Sequence, residues 1–127
     1  MEALRIESTH KTPRVILDPE NGIFELSGRS IPEDALGFYK PIFDWLDAYA
    51  KAPLPVTHVR FDLEYFNTSS SKNILEILKR LEAIHTNGHE VRVTWYYDED
   101  DEDMEETGQD YQALLNLPIE LSVKIQS

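Results

Sequence analysis

Val59, Phe61, Leu63 and Tyr65 alternate with His58, Arg60, Asp62 and Glu64. The same two-residue period returns at Val91, Val93, Trp95 and Tyr97, set against Arg92, Thr94 and Tyr96. It returns again at Ile119, Leu121, Val123 and Ile125, set against Glu120, Ser122 and Lys124. Successive strand side chains point to opposite faces, and a strand buried on both faces would be apolar nearly throughout. The alternation predicts strands over residues 56–66, 90–97 and 119–125, with one face covered and the other accessible.

Between these segments the period becomes helical. Ile74, Leu75, Leu78, Leu81 and Ile84 mark the buried stripe of a helix over residues 73–85, closed by Asn87-Gly88. Leu36, Tyr39, Phe43, Leu46 and Tyr49 mark another, opened by Ser30-Ile31-Pro32-Glu33-Asp34 with its cap hydroxyl, first-turn proline and acidic residues. Pro41 removes an internal hydrogen bond, which predicts a kink near residues 37–40 or a second start at Pro41. A short helix is expected around residues 110–115. Upstream, residues 14–18 and 23–28 read as an antiparallel hairpin turning through Pro19-Glu20-Asn21-Gly22. This order of elements predicts one α/β domain over residues 1–127, two layers deep. It has a mixed sheet of about five strands, with helices packed mainly on one face and helical crossovers making the later pairs parallel.

Composition narrows the classes of function. The 127 residues include no cysteine, which excludes disulfides, thiolate metal sites and cysteine nucleophiles and fits a reducing, cytoplasmic setting. The N-terminus lacks the basic and apolar regions of a signal peptide, and no stretch is long and apolar enough for membrane insertion. A formal net charge of −12 disfavours nucleic acid and anionic lipid and points to protein partners with basic patches.

The candidate chemistry is concentrated at Asn67-Thr68-Ser69-Ser70-Ser71-Lys72, where the strand meets the helix. Open α/β sheets display functional groups at the carboxyl ends of strands, and helix N-termini favour anions. The hydroxyls read either as helix caps or as phosphoacceptors; Thr68 itself reads as an N-cap on spacing alone. Lys72 tilts the reading, because its charge opposes the helix dipole but would meet a phosphate. The acidic run 98–106 reads as a solvated segment entering a helix, since it lacks the glycine and ligand periodicity of a calcium loop. Asp62 and Glu64 share a strand face, as any alternating strand requires; they suit a surface charge network with Arg60 and Arg92, and a carboxylate-dependent hydrolase is the alternative. His10, His58, His85 and His89 show no metal-binding spacing, and no cofactor motif is present.

The segment Phe61–Lys72, together with Val93-Thr94-Trp95-Tyr96-Tyr97-Asp98 and Pro41-Ile42-Phe43-Asp44-Trp45-Leu46, resembles the SiaC family of bacterial regulatory phosphoproteins. More remotely, the order of elements is similar to STAS domains of anti-sigma factor antagonists. The SiaC resemblance implies a non-enzymatic phospho-switch adaptor without cofactors, with Thr68 as phosphoacceptor and Asn67, Ser69, Ser70, Ser71 and Lys72 as its partner-binding or phosphate neighbours. It implies a SiaB-like kinase, a PP2C-type phosphatase and a SiaD-like diguanylate cyclase as partners, with control of cyclic di-GMP and biofilm formation. The STAS likeness implies anti-sigma capture instead; Asn67-Thr68 stands where many of those domains have Asp-Ser, and no glycine follows the serines.

Overall fold

The computed structural model describes residues 1–124. In chain order the elements are β1 (Leu4–Ile6), β2 (Arg14–Asp18), β3 (Ile23–Ser30), α1 (Ala35–Tyr49), β4 (Val56–Phe66), α2 (Thr68–Thr86), β5 (Glu90–Asp98), α3 (Glu102–Leu114) and β6 (Ile119–Lys124). The strands form one sheet in the order β1-β2-β3-β4-β5-β6. The pairs β1–β2 and β2–β3 are antiparallel, whereas β3–β4, β4–β5 and β5–β6 are parallel. Each parallel pair is joined through a helix. Successive crossovers advance across the sheet in one direction, so their common hand puts all three helices on one face.

That face holds the core. Val15, Leu17, Phe24, Leu26, Val59, Phe61, Leu63, Val91, Val93 and Trp95 from the sheet meet Tyr39, Ile42, Leu46 and Tyr49 of α1 and Ile74, Ile77, Leu78, Leu81 and Ile84 of α2. Each buried aliphatic side chain is worth about 1.5–3 kcal/mol relative to exposure. Arg80 joins the two helices on the outside, lying 4.4 Å from the centre of the Phe43 ring and 3.1 Å from Asp47.

The sheet has six strands rather than about five, because the three-residue β1 was too short to show a period. Ser30 does not start α1; its backbone completes β3, and Asp34 caps the helix by accepting from Gly37 N–H at 3.0 Å. The helix runs through Pro41 without a second start. Its lost donor would have served Gly37, and both residues are exposed, so water can take that carbonyl. Leu36 is 62% exposed, and Ile42 takes its expected place in the stripe; on α2, Ile77 is buried and Leu75 only partly so. Helix α3 begins at Glu102, well before residue 110, with Asp101 as cap and Glu102, Asp103 and Glu105 in its first turn. Carboxylates there are stabilised by the helix dipole, so the acidic run forms a helix start. Ile125 of the expected last strand lies outside the described residues.

One departure reshapes the candidate site. Leu63 pairs with Gly28, but Arg29 pairs with Tyr65, so Glu64 is an extra residue in β4. Gly28, at φ 110°, supplies the backbone that most side chains disfavour beside such a bulge. Beyond it the alternation changes phase. Tyr65, expected on the covered face with Leu63, is 53% exposed, whereas Phe66 packs edge-on against Trp95 with ring centroids 6.0 Å apart.

Candidate functional site at the carboxyl edge of the sheet

The parallel strands end together at one edge, where α1, α2 and α3 also begin. At its centre the residues between β4 and α2 divide their tasks by direction. Asn67, not Thr68, is the N-cap: its Oδ1 accepts from Ser70 N–H at 2.9 Å, and its own N–H donates to the Ser30 carbonyl at 3.1 Å. This extends the β3–β4 pairing to the first turn of the helix.

Ser70 points inward and is 0% exposed. Its hydroxyl donates to the Ser30 carbonyl at 2.9 Å and accepts from the Ser30 hydroxyl at 2.8 Å. A hydroxyl has one proton, so the 2.6 Å contact between Ser30 Oγ and Tyr39 OH is a donation by the tyrosine. Burial pushes the Tyr39 phenol above its ordinary value of 10.0, against the opposing effect of its serine partners, and keeps it a neutral donor. The chain Tyr39 to Ser30 to Ser70 to carbonyl ties α1, β3 and α2 together. Ser70 therefore acts on a partner only through the backbone it fixes.

Ser71 turns toward α3. Tyr111 OH donates to the Ser71 carbonyl at 3.1 Å, and the two hydroxyls lie 3.3 Å apart. Burial raises the Tyr111 pKa, with the Ser71 hydrogen bond acting in the opposite direction. The Asn73 amide holds the Ser69 carbonyl at 2.8 Å. Tyr39 and Tyr111 are thus the clamps of this turn. The spacing of Met104, Gly108 and Tyr111 was the signal available for the second.

Thr68 and Ser69 point outward. Both are exposed, and neither hydroxyl has a hydrogen-bond partner among the described residues. Their backbone N–H groups, the first two of α2, are likewise unclaimed there, since the cap serves Ser70 N–H and the Asn67 carbonyl serves Ser71 N–H. Lys72 is exposed one turn after Thr68 and has no ion-pair partner among the described residues.

The other candidate groups are occupied. Asp62 pairs with Lys124 at 2.7 Å, and Asp98 lies 4.0 Å from the same ammonium. Burial opposes the Lys124 charge, but Asp62, Asp98 and Glu64 together outweigh it and raise its pKa above 10.5. Lys124, rather than Arg60 or Arg92, is the cation of this network. A groove of about 330 Å³ at the opposite edge includes His58, His85, Glu90 and Arg92. Its groups are satisfied: His58 bonds Thr94 at 2.7 Å, His85 Nδ1 accepts from Val91 N–H at 3.2 Å, and Arg92 pairs with Glu90 at 3.4 Å. Among the described residues no cluster of three or more histidines and carboxylates is placed to hold a metal, and no helix is long and apolar enough to cross a membrane.

A one-sided α/β domain that displays unpaired hydroxyls at a strand-to-helix junction belongs to the class whose functional groups sit at the carboxyl edge of the sheet. Residues 6–124 match the profile of the SiaC family regulatory phosphoproteins, and the chain belongs to that family. An uncharacterized protein of Pseudomonas aeruginosa is 29% identical over 118 residues, 93% of this chain and 94% of that one. The solved structure of SiaC of Pseudomonas aeruginosa is 27% identical and superposes with a TM-score of 0.89 over 98% of this chain and 100% of its own. Another structure, of the diguanylate cyclase SiaD in complex with its activator SiaC from Pseudomonas aeruginosa, matches with a TM-score of 0.87. The identity there is 28%, over 95% of this chain and 99% of that one.

Proposed function

We propose that this protein is a non-enzymatic, cytoplasmic phospho-switch adaptor. Its unphosphorylated form binds and activates a diguanylate cyclase of the SiaD kind, raising cyclic di-GMP and promoting biofilm formation. A SiaB-like kinase ends that binding by phosphorylating Thr68, and a PP2C-type phosphatase restores it. The observation that carries this reading is the division of the hydroxyl run: Ser70 is sealed and Ser71 is engaged with Tyr111, while Thr68 and Ser69 stand exposed and unbonded, and the family resemblance selects Thr68 of the two.

The switch is electrostatic. A phosphothreonine brings about −1.5 to −2 charges and three acceptor oxygens. Thr68 and Ser69 N–H, the positive end of the helix dipole and Lys72 all favour an anion there, so the phosphate is stable at the free surface. Docking a partner over it strips its water, a penalty that only a fully paired anion escapes. The rigid turn helps, because the clamps through Ser70 and Ser71 hold the phosphate in the contact area.

Incubation with the kinase and ATP, read by mass spectrometry, tests the assignment. Thr68→Ala should abolish modification while Ser69→Ala retains it. Undiminished phosphorylation of the Thr68→Ala protein refutes it.

A further inference from the structure

The two edges of the sheet are unlike. β1 is three residues long, and the chain entering it is pinned by Trp45 Nε1, which donates to the Glu2 carbonyl at 2.9 Å. β6 is six residues long, contains no proline and pairs with β5 without a register shift. Short strands, prolines and bulges blunt an edge, and β6 has none of these; it carries instead two charges of opposite sign, Glu120 and Lys124. Val93 N–H donates to the Pro118 carbonyl at 2.9 Å, so the even-numbered residues of β6 turn their backbone groups toward β5 and the odd-numbered ones turn theirs outward. The Ile119 carbonyl follows that direction, because Gln112 Nε2 of α3 donates to it at 2.7 Å. The outward N–H and carbonyl groups of Leu121 and Val123 have no partner among the described residues.

This edge complements itself. A second copy laid antiparallel and centred on Ser122 sets Leu121 opposite Val123 and Glu120 opposite Lys124, with the same pairs repeated across the two-fold axis. Leu121 and Val123 then form the hydrogen-bonded kind of pair, in which each residue gives one bond and takes one. Their side chains lie on the helix-covered face, where Val123 is 42% exposed and would gain an apolar neighbour. Glu120 and Lys124 lie on the open face; Glu120 is exposed and makes no ion pair among the described residues. Other centres are worse. One on Glu120 or Lys124 sets like charges face to face. One on Leu121 needs Ile119, whose carbonyl Gln112 already holds, and one on Val123 leaves Lys124 opposite Ser122.

We infer that β6 is a dimerisation edge: two copies of this chain pair through Leu121 and Val123 about a two-fold axis at Ser122, joining two six-stranded sheets into one. The inference goes beyond the phospho-switch and does not rest on it. The contact is small for a protein pair, so the dimer should form reversibly with a Kd of about 10–100 µM.

Sedimentation of the full, unmodified chain tests this. From about 1 to 500 µM, in about 0.15 M salt to screen the repulsion between chains of net charge −12, it should show a monomer–dimer equilibrium. Glu120→Lys sets like charges face to face, and Val123→Pro deletes an outward donor but no bond to β5; each should raise the Kd at least about tenfold. Thermal melts establish that both are folded. Because the chain has no cysteine, Ser122→Cys puts a lone thiol on the two-fold axis, where paired Cα atoms lie about 4.5 Å apart, within disulfide reach. Under mild oxidation it should cross-link at least about tenfold faster than Ser69→Cys, a lone thiol at another exposed site, and adding Glu120→Lys should remove the advantage. A wild-type chain that stays monomeric throughout overturns the inference and leaves the edge to a strand of another protein. A dimer undiminished in both Glu120→Lys and Val123→Pro, or equal cross-linking of the two cysteine variants, overturns it as well, and none of these results bears on modification of Thr68.

Discussion

Replacing Ser70 with alanine separates the locked hydroxyls from the free ones. The substitution deletes two interior hydrogen bonds, Ser70 to the Ser30 carbonyl at 2.9 Å and Ser30 to Ser70 at 2.8 Å. The carbonyl keeps Asn67 N–H, but one proton of the Ser30–Tyr39 pair loses its acceptor, since Tyr39 is also fully buried. An orphaned buried donor costs about 1–3 kcal/mol, and a lost net hydrogen bond about 1 kcal/mol, so the total is roughly 2–4 kcal/mol. At roughly 2.1 cal/mol/K of unfolding entropy per residue, a chain of this length should lose about 7–15 °C in Tm. Thr68→Ala, which removes a hydroxyl without a partner, should stay within about 0.5 kcal/mol of wild type. Urea and thermal unfolding followed by circular dichroism give both numbers. If Ser70→Ala is as stable as wild type, or Thr68→Ala loses as much, the division of labour along the run is wrong.

Other consequences are as direct. A Cβ at Gly108 would lie 2.5 Å from Leu121 Cδ2 and 2.6 Å from Trp95 Cδ1, so Gly108→Ala should destabilise by about 1–3 kcal/mol in a urea titration; no loss would show that α3 can shift off the sheet. Burial, helped by Arg60 and Arg92 and opposed by Glu120, holds the His58 pKa below 6.5. The unfolded chain therefore protonates first on acidification, and stability present above about pH 6.5 is lost as pH falls toward the depressed folded value. The gap between wild type and His58→Gln in urea midpoint should move against wild type between pH 7.5 and pH 5; parallel behaviour would contradict the assignment.

The sheet and its covered face were legible in the sequence wherever alternation was set by burial alone. Val59 to Leu63 and Val91 to Trp95 lie where that pattern places them, and Asn87-Gly88 closes α2 with Gly88 at φ 99°. The failures came where a partner element overrides a local signal. Tyr65 continues the two-residue period of β4 perfectly; only the register against Gly28 and Arg29 shows that it has turned outward. Ser30 carries the cap signature of a helix, yet its carbonyl and hydroxyl are claimed by Asn67, Ser70 and Tyr39 from elsewhere in the chain. The hydroxyl run marked a candidate site without revealing that its members face different ways. That division depends on the 100° step of the helix once Asn67, and not Thr68, is fixed as the cap.

Thr68 carrying a stoichiometric phosphate, compared with the unmodified chain in calorimetric titrations against the cognate SiaD-type cyclase, is the most direct test of the switch. Unmodified protein should bind and stimulate cyclic di-GMP synthesis, and phosphorylated protein should bind at least about 100-fold more weakly, a difference near 2.7 kcal/mol, without stimulation. Equal affinity and equal stimulation by the two forms would contradict the account.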